Sequence, residues 1–518
     1  MYMSKLVSVD EAVNLIQDGD TVAISGFLLA TVADEIYTKI EERFLETQAP
    51  KNLTLYQAAG NAGTKRLSHE GLIKRYVTGH YASNQAMIDL VNQNKIENYN
   101  LPQGVITHIY RAAASGKVGE ITKVGLNTFV DPRHSGGKMN DVTKEDLVEL
   151  LDIKGEEHLL FKAPKFNIGI IRGTTSDENG NISFEEESCI ADAFDIAMAV
   201  KNCGGKVIVQ VKNYVKSSSM DRNTIQVPGV LVDAIVLSTN VEKYHRQAPG
   251  CVYDPVLAGH FHKEVAASTS LELDNRKIIA RRAAMELKPS SVVNLGIGIP
   301  EVVAHVAEEE GFGNELVLTI ESGLIGGIPT GGSTFGSAMN AWAALPMIGQ
   351  FDYYNGGGLN VTFLGFAEID KSGNINVSKF GSKIAGCGGF IDISQCTKKI
   401  VFCGTLTAGG LVEDIEDGKL VIKQEGNKTK FLESIESVSF SAETANSTGQ
   451  DVMIITERCV FQYSKEGLIL TEIAPGIDME KDIFPYMAFK PVVSTELKLM
   501  DQRIFINDLM GIKNEIIK

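Results

Sequence analysis

Short apolar runs alternate along this chain with longer stretches whose apolar positions recur at helical spacing. The runs at 21–27, 53–59, 206–212, 234–239, 291–296, 316–321, 361–367 and 399–405 read as strands. Helix-patterned EAVNLIQDGD stands before the first of them and RKIIARRAAMELKPS before the fifth. Strands alternating with helices predict an α/β chain built on open, largely parallel sheets covered by helices. Stretches 419–424 and 452–472 read instead as antiparallel strands and hairpins.

The pattern occurs twice. Asp177 opens DENGNI and Asp370 opens DKSGNI, a spacing of 370 − 177 = 193. KVIVQV begins at Lys206 and KIVFCG at Lys399, again 399 − 206 = 193. The start of each copy aligns with a larger offset, Val22 against Val292, which implies an insertion of roughly 80 residues in the first copy. Two homologous α/β halves fused in one chain follow, 1–265 and 275–518, with a junction near 255–275. A chain of 518 residues is also too long for one ordinary core.

Composition narrows the function. The balance of 44% hydrophobic and 22% charged residues is that of a globular protein. A formal net charge of −16 disfavours nucleic-acid binding. No apolar run approaches the roughly 18–20 residues that span a bilayer, so no membrane partner is expected. The N-terminal stretch reads as a short amphipathic helix with acids in it, not a signal peptide, and a cytoplasmic setting is expected. Seven cysteines include no CxxC pair and read as reduced, mostly buried thiols. His260 and His262 flank Phe261 without a third ligand and read as strand surface. No metal is expected.

The segment LVLTIESGLIGGIPTGG at 316–332 carries the most chemical information. A strand ends at Glu321 and a loop holding Gly323, Gly326, Gly327, Gly331 and Gly332 follows. Glycines let main chain approach a ligand closely and aim N–H groups at it. A solvated strand end before a flexible turn is the plain alternative. Upstream, SVVNLGIGIPEVVAHVAEEE imitates a dinucleotide-binding turn, with Glu321 about 20 residues on. The third glycine position is Glu301, however, where a carboxylate opposes both close packing and an anionic pyrophosphate. The turn itself, with Pro300 suited to a first helical turn, is still fit for an anion or a backbone contact.

Taken together, NLGIGIP, IESGLIGGIPTGG, GCGGFIDI at 386–393 and GTLTAGG at 404–410, with PQGVITHIYRAAASGKVGEITKVGLNTFVDPR, GGKMN and RGTTSDENGNI in the first half, resemble the family I coenzyme A transferases. The resemblance runs over nearly the whole chain and is narrowest to the single-chain propionate CoA-transferase and short-chain acyl-CoA:acetate CoA-transferase branch. Ser25, Thr31 and Ala33, and Glu-Ser-Gly in place of Glu-Asn-Gly, depart from the two-subunit relatives. The resemblance implies that Glu321 is the nucleophile in a ping-pong exchange between an acyl-CoA and a short-chain carboxylate, through a glutamyl-CoA thioester. The CoA thioester is then a co-substrate, and no tightly bound cofactor is needed. It further implies oxyanion donors at Gln103 and at Gly388-Gly389. Their plain readings are a loop amide capping backbone and a tight turn. Gly296, Ile297, Gly298, Ile299 and Pro300, with Gly404, Gly409 and Gly410, would line the CoA, and Gly26 and Phe27 the acyl pocket. A homo-oligomer, tetrameric by resemblance, is expected.

Charge runs at 185–187 and 308–310 read as solvated faces, and Arg281-Arg282 as surface or subunit contact. Arg111, Lys117, Arg133 and Lys138 could position a carboxylate or a subunit interface. Trp342, the sole tryptophan, reads as packing. Two rival functions stay in view: a non-catalytic small-molecule sensor on the same fold, and a hydrolase that passes the acyl group to water through the same glutamate.

Overall fold

The computed structural model describes residues 5–264 and 271–517. The expected junction near 255–275 therefore includes 265–270, which lie outside the described residues. The chain forms two compact units: Met1–Lys263 with Ile320–Asp352 and Phe380–Asp392, and Glu264–Thr319 with Tyr353–Lys379 and Ile393–Lys518.

The first unit is organised by an eight-stranded sheet: β1 (Leu6–Val7), β2 (Thr21–Ile24), β3 (Leu53–Gln57), β4 (Ile73–Thr78), β5 (Glu97–Asn100), β6 (Ile168–Arg172), β7 (Lys206–Val211) and β8 (Ala234–Leu237). Its order is β1-β8-β7-β6-β2-β3-β4-β5, and every neighbouring pair is parallel. Helices cover it. Asp34–Thr47, for example, buries Ile36, Tyr37, Ile40 and Phe44, the apolar face that 3.6-residue spacing creates. The second unit holds β9 (Val292–Leu295), β10 (Val317–Thr319), β11 (Val361–Gly365), β12 (Lys399–Cys403), β13 (Asp451–Ile455), β14 (Cys459–Ser464), β15 (Gly467–Ile473) and β16 (Val492–Leu499). These lie in the order β10-β9-β11-β12-β13-β14-β15-β16. The pairs from β10 to β13 are parallel; β13, β14 and β15 form an antiparallel meander. The α/β class and largely parallel sheets are those the sequence predicts.

Each unit contains the same five-stranded arrangement, β3-β2-β6-β7-β8 in one and β10-β9-β11-β12-β13 in the other. Register agrees as well. Gly169 pairs with Val207 in the first unit and Thr362 with Ile400 in the second, so both strands shift by 193 (362 − 169 and 400 − 207). The two Asp-x-x-Gly-Asn turns are also the same object. Asp177 Oδ1 accepts from the N–H groups of Asn179 and Asn181, and Asp370 Oδ1 from those of Ser372 and Asn374. The glycines have φ +86° and +87°. One alignment needs correcting. Val22 pairs with Ile168 and Val293 with Val361, so Val22 corresponds to Val293, not Val292.

Every predicted strand in the parallel sheets exists, and every one stops one to three residues earlier than its apolar run. The residues left over include Gly26, Gly296, Glu321 and Gly404, which belong to the turns beyond the strand ends. His260 and His262 lie in a turn rather than on a strand.

The charge runs are where sequence and structure part. Arg281 and Arg282, expected at the surface, are 1% and 7% exposed. Arg281 donates to the carbonyls of Ile504, Ile506 and Asp508, and Arg282 pairs with Glu472 and Glu286. Glu310 accepts from the N–H groups of Met510, Gly511 and Ile512, and Glu309 pairs with buried Lys277. Glu187 is buried in a bidentate pair with Arg172, whose other nitrogen donates to the carbonyls of Val32 and Arg246. Such runs read as solvated only until backbone and counter-charges meet them.

Burial pushes the Glu187 carboxyl up, but the Arg172 guanidinium and His245 outweigh it and hold it near 2. Burial holds His245 neutral, down to about 4. An unfolded glutamate titrates near 4.3 and a histidine near 6.5. Both folded groups therefore bind protons less readily than in the unfolded chain, and both contributions shrink on the acid side. The histidine term is lost as pH falls from about 6.5 to 4, and the glutamate term from about 4.3 to 2. Glu187→Ala strands a buried guanidinium, and chemical denaturation at pH 7 should report a loss of about 3–5 kcal/mol. A change under 1 kcal/mol contradicts this account.

Candidate active site

The residues picked out around Glu321 gather in the first unit. Immediately after β10 the chain makes a tight turn at 320–324, in which Ile320 N–H donates to Leu324 O and Gly323 N–H to Ile320 O. Gly323 has φ +109°, and a Cβ there would stand 1.9 Å from Leu345 O. Leu345 N–H returns a hydrogen bond to Gly323 O, at 2.8 Å. Ser322 Oγ donates to Gly336 O at 2.7 Å. The segment from 320 to 345 is thus folded back on itself with Glu321 at its base, partly buried. Gly326 admits the Trp342 ring, which a Cβ would meet at 2.3 Å. Trp342 itself is 65% exposed, so its expected role as packing is only half met.

Phe27 is buried and stacks on Phe335 at 6.4 Å between centroids. A Cβ on Gly336 would touch its ring at 2.4 Å. Phe27 therefore sits against the segment that carries Glu321, while Gly26 packs on Asn61 and the carbonyls of Ala30 and Thr31. The turn before them is held by Asp192, whose Oδ1 accepts from Ser25 Oγ (2.8 Å) and Gly26 N–H (3.3 Å). Burial raises the Asp192 carboxyl to about 7 against these bonds. Its Oδ2 has no hydrogen-bond partner.

Gln103 is the first residue of the helix Gln103–Ala114, behind Pro102. It is buried, and its Nε2 lies 3.4 Å from Met347 Sδ, at the start of the helix Met347–Asn355 that follows the folded-back segment. Gly104 must be glycine because a Cβ would strike Asp392 Oδ1 at 2.4 Å and Phe351 at 2.5 Å. The N–H of Gln103 donates to Gly388 O, and that of Gly388 to Gly79 O at 2.7 Å. This corrects the expectation for Gly388. Its N–H is engaged within the protein, so of the Gly388-Gly389 pair only Gly389 offers a backbone donor. Gly388 instead supplies a left-handed corner, φ +51°, between Gln103 Oε1 and His80. Burial holds His80 neutral, down to about 4. It lines a cavity of about 350 Å³ with Tyr81, Ile88 and Ile384.

The turn residues 296–300 and 404–410 belong to the second unit. Gly296 N–H donates to Phe363 O, and Gly298 has φ +94°. Ile297 stands 60% exposed at the tip, apolar surface that packing within the unit does not use. Pro300 leads into the helix Glu301–Glu309. A Cβ on Gly404 would lie 2.7 Å from the Phe366 ring and 2.8 Å from Lys430 Nζ. Gly409 and Gly410 have φ +78° and +88°, and their carbonyls accept from Asn427 N–H and Gln424 Nε2. Turn geometry alone accounts for that pair.

Several residues of this neighbourhood have no signal in sequence. Lys430 is 8% exposed, its ammonium 3.8 Å over the Phe366 ring, and burial lowers it to about 8. Arg276 donates to Gly298 O. Asp192, His80 and Met347 stand in ordinary-looking segments. Of the cations considered in the first half, Arg111 pairs with Asp352, Arg133 with Asp131 and Lys138 with Asp146. Among the described residues no group of His, Cys, Asp and Glu is arranged to hold a metal ion, and no helix is long and apolar enough to cross a membrane.

Residues 6–238 match the family model described as Coenzyme A transferase. Similarity to individual proteins runs nearly end to end. The chain is 44% identical over 515 residues to acetate CoA-transferase YdiF of Escherichia coli O157:H7, covering 98% of this chain and 96% of that protein. It is 45% identical over 512 residues to caffeate CoA-transferase of Acetobacterium woodii, covering 97% and 98%. The crystal structure of the E. coli O157:H7 acyl-CoA transferase YdiF as a thioester complex with CoA superposes with a TM-score of 0.92 at 43% identity, covering 98% of this chain and 97% of that one.

The close approach at Gly323 can be tested without any substrate. Gly323→Ala combines a carbonyl clash with a disfavoured φ, a strain of about 1–3 kcal/mol. Hydrogen exchange at the Gly323 and Leu345 amides should rise at least tenfold. Gly331→Ala, where a Cβ meets nothing within 4 Å, should leave these rates unchanged. Equal protection in both variants would sink the assignment of Gly323 as the closing point.

Proposed function

Because this chain belongs to the coenzyme A transferase family, we propose that it moves coenzyme A between short-chain acyl-CoA thioesters and free carboxylates by a ping-pong route through Glu321. The accepted acids are acetate, propionate, butyrate or lactate. Glu321 attacks the thioester carbonyl, the C–S bond breaks, and CoA leaves as thiolate with a glutamyl–acyl anhydride behind it. The thiolate then attacks the glutamyl carbonyl, expelling the free acid and leaving a glutamyl-CoA thioester. An incoming carboxylate reverses both steps. Atoms balance without ATP, metal or redox partner, and the only co-substrate is the CoA thioester.

The observation that carries this reading is the position of Glu321: a carboxylate at a strand end, at the base of a segment closed by Gly323 and Ser322 and flanked by the Phe27–Phe335 pair. Both intermediates are hydrolysable, so a nucleophile of this kind needs water kept away. Gln103 Nε2 and Gly389 N–H are the donors assigned to the tetrahedral intermediates. Gly26 and Phe27 are assigned to the acyl wall, and Gly296 to Pro300 with Gly404 to CoA. Lys430 and Arg276 add positive charge for CoA phosphates near those two turns. The near-equal identity to proteins named for acetate and for caffeate leaves the acceptor acid to the pocket rather than to overall similarity. One methylene in an apolar pocket is worth only about 1–3 kcal/mol, so tolerance among short acids is part of the proposal. The reading includes two homologous halves, 1–265 and 275–518, and a cytoplasmic homo-oligomer, expected as a tetramer.

Protein incubated with acetyl-CoA should gain one CoA per chain on the peptide holding Glu321, and Glu321→Ala should gain none. Transfer by that variant should fall by at least 10⁴. Gln103→Ala should lose roughly 10²–10³ in kcat with little change in KM, the effect of one oxyanion donor. Turnover of acetyl-CoA without any carboxylate acceptor, equal in wild type and Glu321→Ala, overturns the covalent route. A protonated Lys430 aids CoA below its pKa of about 8, so KM for acetyl-CoA should rise above pH 8 in wild type. In Lys430→Met it should be raised already and insensitive to pH across that range.

A further inference from the structure

The strand-end loops of the first unit enclose a second cavity, of about 490 Å³. It is lined from the loop after β2 (Leu29, Val32), the turn after β3 (Ala62 to Arg66), the end of β6 (Arg172) and the loop after β8 (Lys243 to Pro249). Ligands of open α/β sheets bind beyond the carboxyl ends of the strands, and the cavity occupies that position. Its size falls within the range of small-molecule sites, about 300–1,000 Å³.

Its charge runs against the rest of the chain. The protein carries a net −16, yet the lining holds Lys65, Arg66, Arg172, Lys243 and Arg246 against Asp34 and Glu41. The two acids are already engaged: Arg66 Nε bonds Asp34 at 2.8 Å, and Glu41 takes His69 at 2.8 Å and Arg66 at 3.5 Å. Arg172 is neutralised by buried Glu187. Lys65, Lys243 and Arg246 remain, with no acidic partner within 4.0 Å among the described residues, all three at the exposed rim. Three uncompensated cations around one cavity repel one another, and an anionic occupant relieves that repulsion. Between them the wall is apolar and aromatic: Leu29, Val32, Ala248, Pro249 and the Tyr244 ring, over which Lys243 Nζ sits at 4.5 Å.

We propose that this cavity is a second ligand site, separate from the transfer chemistry, for a nucleoside diphosphate or a phosphorylated metabolite of that size. The rim cations would take the phosphates, and the Tyr244 ring with its aliphatic neighbours the base. The loop after β2 joins the two places: Phe27 faces the Glu321 segment, and Leu29 and Val32 face the cavity.

Isothermal titration with ADP, and separately with inorganic pyrophosphate, tests the site in the full-length protein. The comparison is Lys65→Ala/Lys243→Ala/Arg246→Ala, three exposed positions whose loss leaves the sheet and its core intact. ADP should bind wild type and bind the triple variant at least tenfold more weakly, while KM for acetyl-CoA stays unchanged. Pyrophosphate should bind wild type more weakly than ADP, since it cannot use the apolar wall. No binding of either probe at millimolar concentration, or equal ADP binding by both proteins, overturns the proposal. A parallel rise in acetyl-CoA KM in the variant also overturns it, by assigning the cations to CoA. Equal affinity for ADP and pyrophosphate overturns the nucleotide assignment.

Discussion

The contact between Gly323 and Leu345 O is the constraint on which the candidate site depends. It leaves no space for a side chain and requires a φ that L-residues avoid. What it achieves is to turn the chain sharply right after Glu321, so that the following loop folds back on itself instead of continuing the strand. Gly326 under Trp342 and Gly336 under Phe27 repeat the device at smaller scale. Each removes a side chain so that an aromatic ring or a carbonyl can occupy its place. The loop's glycines are thus largely packing residues. The expectation that they line a ligand with N–H groups describes Gly331 and Gly332, where nothing lies within 4 Å, better than the rest.

The internal repeat gives this constraint a control within the same chain. Val22 pairs with Leu55 and Val293 with Leu318, so the turn after β3 corresponds to the turn after β10. Gly60 then corresponds to Gly323. It too has positive φ, +71°, and a Cβ there would strike His80 O at 2.3 Å. The residue matching Glu321 is Ala58. The tight strand-end turn is therefore a property of the architecture, and the carboxylate is what one copy adds to it. The first copy holds Gln103 and Gly388 instead, through the carbonyl of Gly79 and the helix start at Pro102.

Much of this was legible in the sequence because it is local. Strands announced themselves by apolar runs, the repeat by its Asp-x-x-Gly-Asn turns, and the proposed nucleophile by an acid abutting glycines. Strand ends were misjudged by one to three residues because the apolar residues continue into buried turns, where Ile320 and Phe27 pack without being in a sheet. The edge strand Glu97–Asn100 escaped notice because its sequence, ENYN, is polar; its asparagines are buried and bonded to the carbonyls of Tyr76, Thr78 and Gly79. Asp192, Lys430 and Met347 could not be found at all. Their roles come from neighbours more than 60 residues away, and no spacing rule reaches that far.

The buried charges follow the same logic, and they bear on how transfer is kept apart from hydrolysis. Glu187 and Glu310 were read as solvated because charge runs usually are, and Arg281 and Arg282 as surface or subunit contact. In the folded chain each is matched by backbone groups or a counter-charge, as burial demands. The groups that pack around the segment carrying Glu321 are different in kind: Phe27 stacks on its Phe335, Gln103 Nε2 meets Met347 Sδ just beyond it, and His80 beside Gly388 is held neutral. A hydrolase needs a base placed to activate water beside the acylated glutamate. A neutral, weakly basic histidine whose Nδ1 already accepts from the Ala82 N–H is poorly suited to that task. Under the proposed route, transfer asks only for dry surface and fixed donors, the parts assigned to Phe27 and Gln103.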